Sequence, residues 1–190
     1  SVAHASFYGI GAYTVAILMT RAGASFWLAI LAGIGVSALA AFLIGLVLSR
    51  FKDDYYILVS LGLNIIIFNI FLNWQSLTRG PLGIPGIGRP ELFGFVLREN
   101  IVFLILCVLV LIGVYFLARF LVNSSFGRAL KAIREDEGAL QIFGYKTHYF
   151  KLIVFVLTAG LAGLAGGLFA SYITFIDPST FAVAESIFIL

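Results

Sequence analysis

The chain has 190 residues, of which 62% are hydrophobic and 11% charged, and its mean hydropathy is +1.10. One water-soluble core of this size cannot hide so much apolar surface, which excludes an ordinary soluble domain and leaves an integral membrane protein. The net charge of +3 is spread over the polar gaps with no basic stripe, so nucleic acid is not an expected partner.

Uncharged runs cover residues 1–20, 22–49, 55–78, 100–118 and 152–176, each long enough to cross the hydrocarbon as a helix of about 20 residues. Strands of a membrane barrel alternate apolar and polar residues in shorter pieces, whereas IVFLILCVLVLIGVYFLA is apolar all round. The expected fold is all-α: a polytopic helical membrane protein with five full transmembrane spans, plus the start of a sixth at residues 185–190. The chain begins without methionine and stops inside an apolar run, so it reads as an internal piece of a longer protein. The one cysteine, Cys107, falls mid-span, and no disulfide framework is available.

The first span carries His4, Ser6, Tyr13 and Thr14 in apolar surroundings. Polar side chains inside a membrane pair with one another or line a wet path, which makes His4 and Tyr13 candidates for a translocation pathway. Gly9 and Gly11 admit two readings: close helix packing, or local unwinding that exposes backbone to a polar ligand. In the third span, Ser60 and Asn64 share one face while Asn69 and Asn73 share nearly the opposite one. Only one face can line a pore, and Asn64 and Asn69 stand as the candidates from the two faces. No acidic residue lies deep in any span, which argues against proton- or sodium-coupled transport.

The loop at residues 79–99 is rich in turn residues, GPLGIPGIGRP, and too apolar for a flexible linker. Two readings stand for it: a cover over the outer mouth of a pathway, or a packed loop capping the helices. Residues 119–151 form a long polar stretch that holds six of the twelve basic residues. Alternating the spans puts this stretch and the connection near residues 50–54 on one side, together with eight of the twelve Lys and Arg. The positive-inside rule makes that side cytoplasmic.

Wound as a helix from Arg128, the stretch gathers Ala129, Leu130, Ile133 and Leu140 in one sector and Arg128, Lys131, Arg134 and Glu135 in the other. One reading is an interfacial connector lying along the headgroups. Gly138 and Gly144 favour the other, two short helices with a turn, making a knob that fits a groove on a partner. In the last full span, AGLAGLAGG spaces Ala159, Gly163 and Gly167, and Ala162 and Gly166, four apart. Gly163, Gly166 and Gly167 are therefore expected to pack helices closely. The only histidines, His4 and His148, are far apart, and there is no GxxxxGK[ST] phosphate loop. Neither catalysis nor ATP hydrolysis is expected here, and no metal or other cofactor.

Four segments in order resemble the permease subunit of branched-chain amino acid ABC importers: HASFYGIGAYT at residues 4–14, NWQSLTRGPLGIPGIG at 73–88, the loop GRALKAIREDEGALQIFGYK, and KLIVFVLTAGLAGLAGGL at 151–168. The family's first signature is similar to SLGHAAFFGIGAYT, matched here by Ser1, His4, Ala5, Phe7, Gly9, Ile10, Gly11, Ala12, Tyr13 and Thr14, with Val2 and Ala3 in place of Leu and Gly. The importers' coupling motif wants Glu, Ala, Ala, three residues, then Gly. The corresponding positions here are Gly138, Ala139, Leu140 and Gly144, with the acidic residue one place early at Glu137.

The resemblance implies one permease domain over residues 1–190, incomplete at both ends, with residues 119–151 as its cytoplasmic coupling loop. It implies ATPase-coupling contacts at Arg128, Arg134, Glu135, Glu137, Ala139 and Gly144. The implied partners are a second homologous permease subunit, two cytoplasmic ABC ATPase subunits, an extracytoplasmic solute-binding protein and membrane lipid. The implied function is ATP-driven import of branched-chain or other neutral amino acids by alternating access, in a multi-pass protein of the prokaryotic cell (inner) membrane. The alternatives are an importer permease for urea or short amides, and a stand-alone secondary carrier or channel.

Overall fold

A backbone in lipid must satisfy its hydrogen bonds within itself, so each long uncharged run forms a helix. The structure, a computed structural model, describes residues 4–48, 51, 53–92, 95–96 and 99–181. Its helices are α1 (His4–Arg21), α2 (Phe26–Leu48), α3 (Asp53–Asn73), the single-turn α4 (Gln75–Thr78), α5 (Asn100–Asn123), α6 (Ser125–Glu135), α7 (Glu137–Ile142) and α8 (Thr147–Ile173). The strands β1 (Ile84–Pro85) and β4 (Phe175–Ile176) pair antiparallel, as do β2 (Glu91–Leu92) and β3 (Phe95–Val96).

Among the described residues, four helices are long and apolar enough to cross a membrane: Phe26–Leu48, Tyr55–Asn73, Asn100–Asn123 and Thr147–Ile173. The expected count of five differs at α1, whose two glycines, two tyrosines, two threonines, His4 and Arg21 dilute its apolar content. Its position accounts for this composition. Nine of its eighteen residues are buried among other helices, and a helix wrapped in protein needs no lipid-facing side chains. Other boundaries also shift. The run expected at 55–78 divides after Asn73, α5 continues past Arg119 to Asn123, and α8 begins at Thr147 and so takes in Lys151. The sixth span expected at 185–190 lies outside the described residues.

The core consists of α1, α2 and α8. Lipid is as apolar as leucine, so what holds helices together in a membrane is close van der Waals packing at small residues. Gly163 on α8 faces Ser37 and Gly33 on α2 and Gly11 on α1, and a Cβ at Gly11 would collide with the Gly163 backbone. The Ser37 hydroxyl donates to the Phe7 carbonyl at 3.1 Å, closing the junction with a buried interhelical hydrogen bond. Along α8, a Cβ at Gly166 would meet the Tyr8 carbonyl, and one at Gly167 would press on Ile30 and Val15.

The helices alternate in direction. Phe7 meets Phe155 edge-on at 5.3 Å, in a cluster with Leu48 near the end of α2. At the opposite end, Arg21 donates to the Leu77 carbonyl at 3.0 Å, Phe103 packs on Tyr172, and β1 pairs with β4. The loop after α4 is packed rather than free: Ile84 and Ile87 are buried with Ile176 and Phe181 against α1 and α3. By contrast, Phe103 is the one buried residue of α5, which presents Leu104, Leu109, Leu111, Phe116 and Phe120 outward.

Candidate functional site

The segment between α5 and α8 folds as two short helices standing off the apolar bundle. Ser124 opens α6, its Oγ accepting from the Gly127 N–H at 3.2 Å, as an N-cap should. Ile133 is buried on one face, whereas Arg128, Lys131, Arg134 and Glu135 are exposed on the other, and Gly127 is buried against the carbonyls of Leu121 and Val122 at the end of α5. The Phe126 ring stacks on Phe150 of α8 with centroids 5.5 Å apart. This face rests on the bundle.

The break between the two helices falls at Asp136 rather than at Gly138. Asp136 adopts an extended conformation, ending α6, and its carboxylate accepts from the Ala139 N–H at 2.9 Å to start α7. Gly138 lies inside α7. The end of α7 is where glycine is required: Gly144 has φ +84°, the Tyr145 N–H donates to the Leu140 carbonyl and the Gly144 N–H to that of Gln141, each at 3.0 Å. That pair of bonds is a Schellman motif, which glycine makes without a Cβ clash.

No residue of α7 is buried, and Ile142 and the following Phe143 are 87% and 80% exposed. Two large apolar side chains thus form the tip of a polar segment. The six residues expected to make coupling contacts are drawn into this knob with different roles. Arg128 turns back on its own helix start, its Nη2 donating to Ser125 Oγ at 2.8 Å. Arg134 and Glu135 pair with each other at 3.0 Å in the open, which stabilises little. Ala139 is half-buried, and Gly144 is exposed.

Glu137 turns inward rather than out. One carboxylate oxygen accepts from Lys151 Nζ, and the other from the Thr147 hydroxyl at 2.9 Å and from Gln141 Nε2 at 3.4 Å. The residues that the sequence reading overlooked are therefore Ile142, Phe143, Gln141, Thr147 and Lys151. An Ile-Phe pair just before a glycine, inside a charged stretch, is the signal that pointed to the tip; the other three carried none.

The polar residues within the bundle separate as the two faces of α3 do. Ser6 on α1 donates to Asn64 Oδ1 at 3.0 Å, both side chains being fully or almost fully buried. Two turns further along both helices, Tyr13 packs on Phe71 with ring centroids 4.7 Å apart. The Tyr13 hydroxyl and Ser171 Oγ are buried without a hydrogen-bond partner among the described residues. His4 is half-buried at the start of α1. Asn69 and Asn73 lie on the exposed face of α3, where their amides fold back onto the carbonyls of Ile65 and Asn69 at 2.8 and 2.9 Å. The structure therefore brings Tyr13 and Asn64 to the α1–α3 contact and leaves Asn69 outside it. Of Gly9 and Gly11, neither interrupts α1, which is helical throughout.

Among the described residues, no group of three or more His, Cys, Asp or Glu is placed to hold a metal ion. The bundle offers packing and hydrogen bonding, and the knob offers a shaped surface.

Comparison with known proteins gives a family. A family model described as "Branched-chain amino acid transport system / permease component" matches residues 1–190. The chain is 36% identical over 211 aligned residues to the high-affinity branched-chain amino acid transport system permease protein LivM of Salmonella typhimurium, covering 98% of this chain and 49% of that protein. The LivM protein of Escherichia coli is similar to the same extent, 36% over 211 residues with the same coverage of each chain. The chain thus spans about half the length of the curated relatives it matches. No solved structure matches it.

Proposed function

The chain belongs to the branched-chain amino acid transport system permease component family, and from that membership we propose that it is the membrane-spanning part of an ATP-driven importer carrying branched-chain or other neutral amino acids into the cytoplasm. In this reading α1 is the fifth span, enclosed by the others, and the bundle moves by alternating access. The outward side chains of α5 meet lipid or a second, homologous permease subunit. Two ABC ATPase subunits bind on the cytoplasmic side, where eight of the twelve basic residues gather, and a solute-binding protein delivers cargo to the other. The membrane is the inner membrane of a prokaryotic cell. Hydrolysis belongs to the ATPase subunits, and this chain supplies the path and the contact.

The observation that carries the reading is the exposed Ile142–Phe143 tip of α7. Large apolar side chains held out on a short, capped helix suit a groove on a partner. Arg128, Arg134 and Glu135 flank that contact as a charged rim, and Ala139 and Gly144 let backbones approach. A pathway lined by Tyr13, Asn64 and the neighbouring hydroxyls, with His4 at its inner end, suits a zwitterion whose side chain is uncharged.

Phe143→Asp, in the full-length protein expressed with its partner subunits, tests the contact. The expected result is a normal amount of permease in the membrane, with the ATPase subunits lost on purification and ATP-driven leucine uptake abolished. Unchanged uptake at normal expression would remove α7 from the coupling role.

A further inference from the structure

We infer that Lys151 and Thr147 are positioning residues that fix α7 to the root of α8 through Glu137, so that a push on the α7 tip is delivered to α8 instead of being lost in the turn between them. This inference rests on the coupling reading above.

A helix of six residues has no stability of its own, and α7 buries none of its side chains. Its covalent link to α8 runs through the exposed residues Phe143, Gly144, Tyr145 and Lys146, with Gly144 in the left-handed region. Held only by that link, α7 would pivot. Four side chains oppose the pivot. Glu137 sits in the first turn of α7, Thr147 is the first residue of α8, and Lys151 follows one turn later on the same face. The Glu137 carboxylate spans both, taking Lys151 on one oxygen and Thr147 on the other. Gln141 Nε2 completes the ring by donating to Thr147 Oγ1 at 3.0 Å, so that the Thr147 hydroxyl both gives and receives.

These bonds are sheltered compared with the other ion pair of the knob. The Lys151 and Glu137 side chains are 41% and 27% exposed, against 80% and 74% for Arg134 and Glu135. Thr147 is buried. Charge-assisted bonds with reduced access to water hold geometry better than solvated ones. Phe150, between Thr147 and Lys151, carries the stack with Phe126, so α6 and α7 both grip the first two turns of α8. Downstream, α8 is locked to α1 and α2 at the Gly163 junction, and a close-packed core transmits displacement rather than absorbing it. A movement imposed at Phe143 thus has a continuous rigid route into three helices.

The test uses the whole importer in proteoliposomes: full-length permease, second permease subunit, ATPase subunits and binding protein, with leucine uptake and ATP hydrolysis measured on the same preparation. Lys151→Met should keep the ATPase subunits in the complex and hydrolysing, while leucine moved per ATP falls on the order of fivefold. Thr147→Val should act in the same direction, and Lys151→Arg should restore coupling. The reversed pair, Glu137→Lys with Lys151→Glu, should recover much of what Glu137→Gln loses. An unchanged leucine-to-ATP ratio in Lys151→Met overturns the inference. So does loss of the ATPase subunits in Glu137→Gln alone, which would make Glu137 a docking contact while leaving the importer reading intact. A wild-type complex that never retains ATPase subunits overturns both.

Discussion

Gly11 of α1 and Gly163 of α8 meet backbone against backbone, so closely that a Cβ on Gly11 would fall on the Gly163 carbonyl and Cα. The contact sets the distance between two helices of the core. Gly11→Leu should force them apart and cost about 1–3 kcal/mol, the usual penalty of overpacking. Gly113, around which a Cβ would meet nothing, is the control. A lowered midpoint of thermal unfolding in detergent for Gly11→Leu, with none for Gly113→Leu, is the expected pattern.

The Ser6–Asn64 bond should behave as an interhelical bond in a membrane does. Asn64→Ala is expected to cost about 0.6 kcal/mol, because the same polar groups also find partners when the helices are separated in the membrane. Asn69→Ala should leave the midpoint in place, since its amide bonds only to its own helix. If Asn64 also lines the pathway, leucine uptake by Asn64→Ala should fall by more than the stability loss explains, and uptake measured at matched folded protein separates the two effects.

The knob should loosen locally when its caps are removed. Asp136→Ala takes away the acceptor for the Ala139 N–H and should cost about 1 kcal/mol. Gly144→Ala keeps the sequence short and simple but strains the left-handed residue by about 1–2 kcal/mol. Both should speed hydrogen exchange of the α7 amides without changing exchange in α8.

Acid should weaken the turn after α8. Burial alone would push the Asp177 carboxyl up, but donation from the Ser179 and Thr180 hydroxyls and the Thr180 backbone outweighs it and holds the carboxyl below its ordinary value. A depressed carboxyl contributes stability that is present above the unfolded value, about 3.9, and is lost as pH falls through the lower folded one. Exchange protection of residues 179–181 should therefore drop below about pH 4 in the wild type. Asp177→Asn should abolish that acid dependence.

Sidedness can be read with single cysteines in a Cys107→Ser background. A cysteine at Gln141 should react with an impermeant maleimide only from the cytoplasmic side, and one at the exposed Leu82 only from the other. Labelling of both from one side would break the alternation of the five helices.

Particular residues show how far the sequence was legible. The four apolar helices follow from runs without charge, a property each segment has by itself. The two-helix form of the segment between α5 and α8 was readable from its glycines, since Gly144 does stand at a left-handed cap, yet the break at Asp136 was not. Asp136 competes for the backbone through its side chain, and Gly138 is tolerated within α7 once that cap is made. Asn64 and Asn69 could be assigned to opposite faces by helical spacing, but spacing does not say which face turns inward.

What the sequence by itself determined is the class of molecule, its all-helical membrane character and the family, because these depend on composition and on short motifs carried along one strand of chain. What the tertiary structure decided is how those segments are used. It buried the least hydrophobic of the five long helices, α1, at the centre, where neighbours replace lipid. It turned Glu137 away from solvent to Lys151 and Thr147, and it set Ile142 and Phe143 outward. Burial and side-chain pairing are fixed only when helices pack, and the spacing of residues along one segment does not decide them.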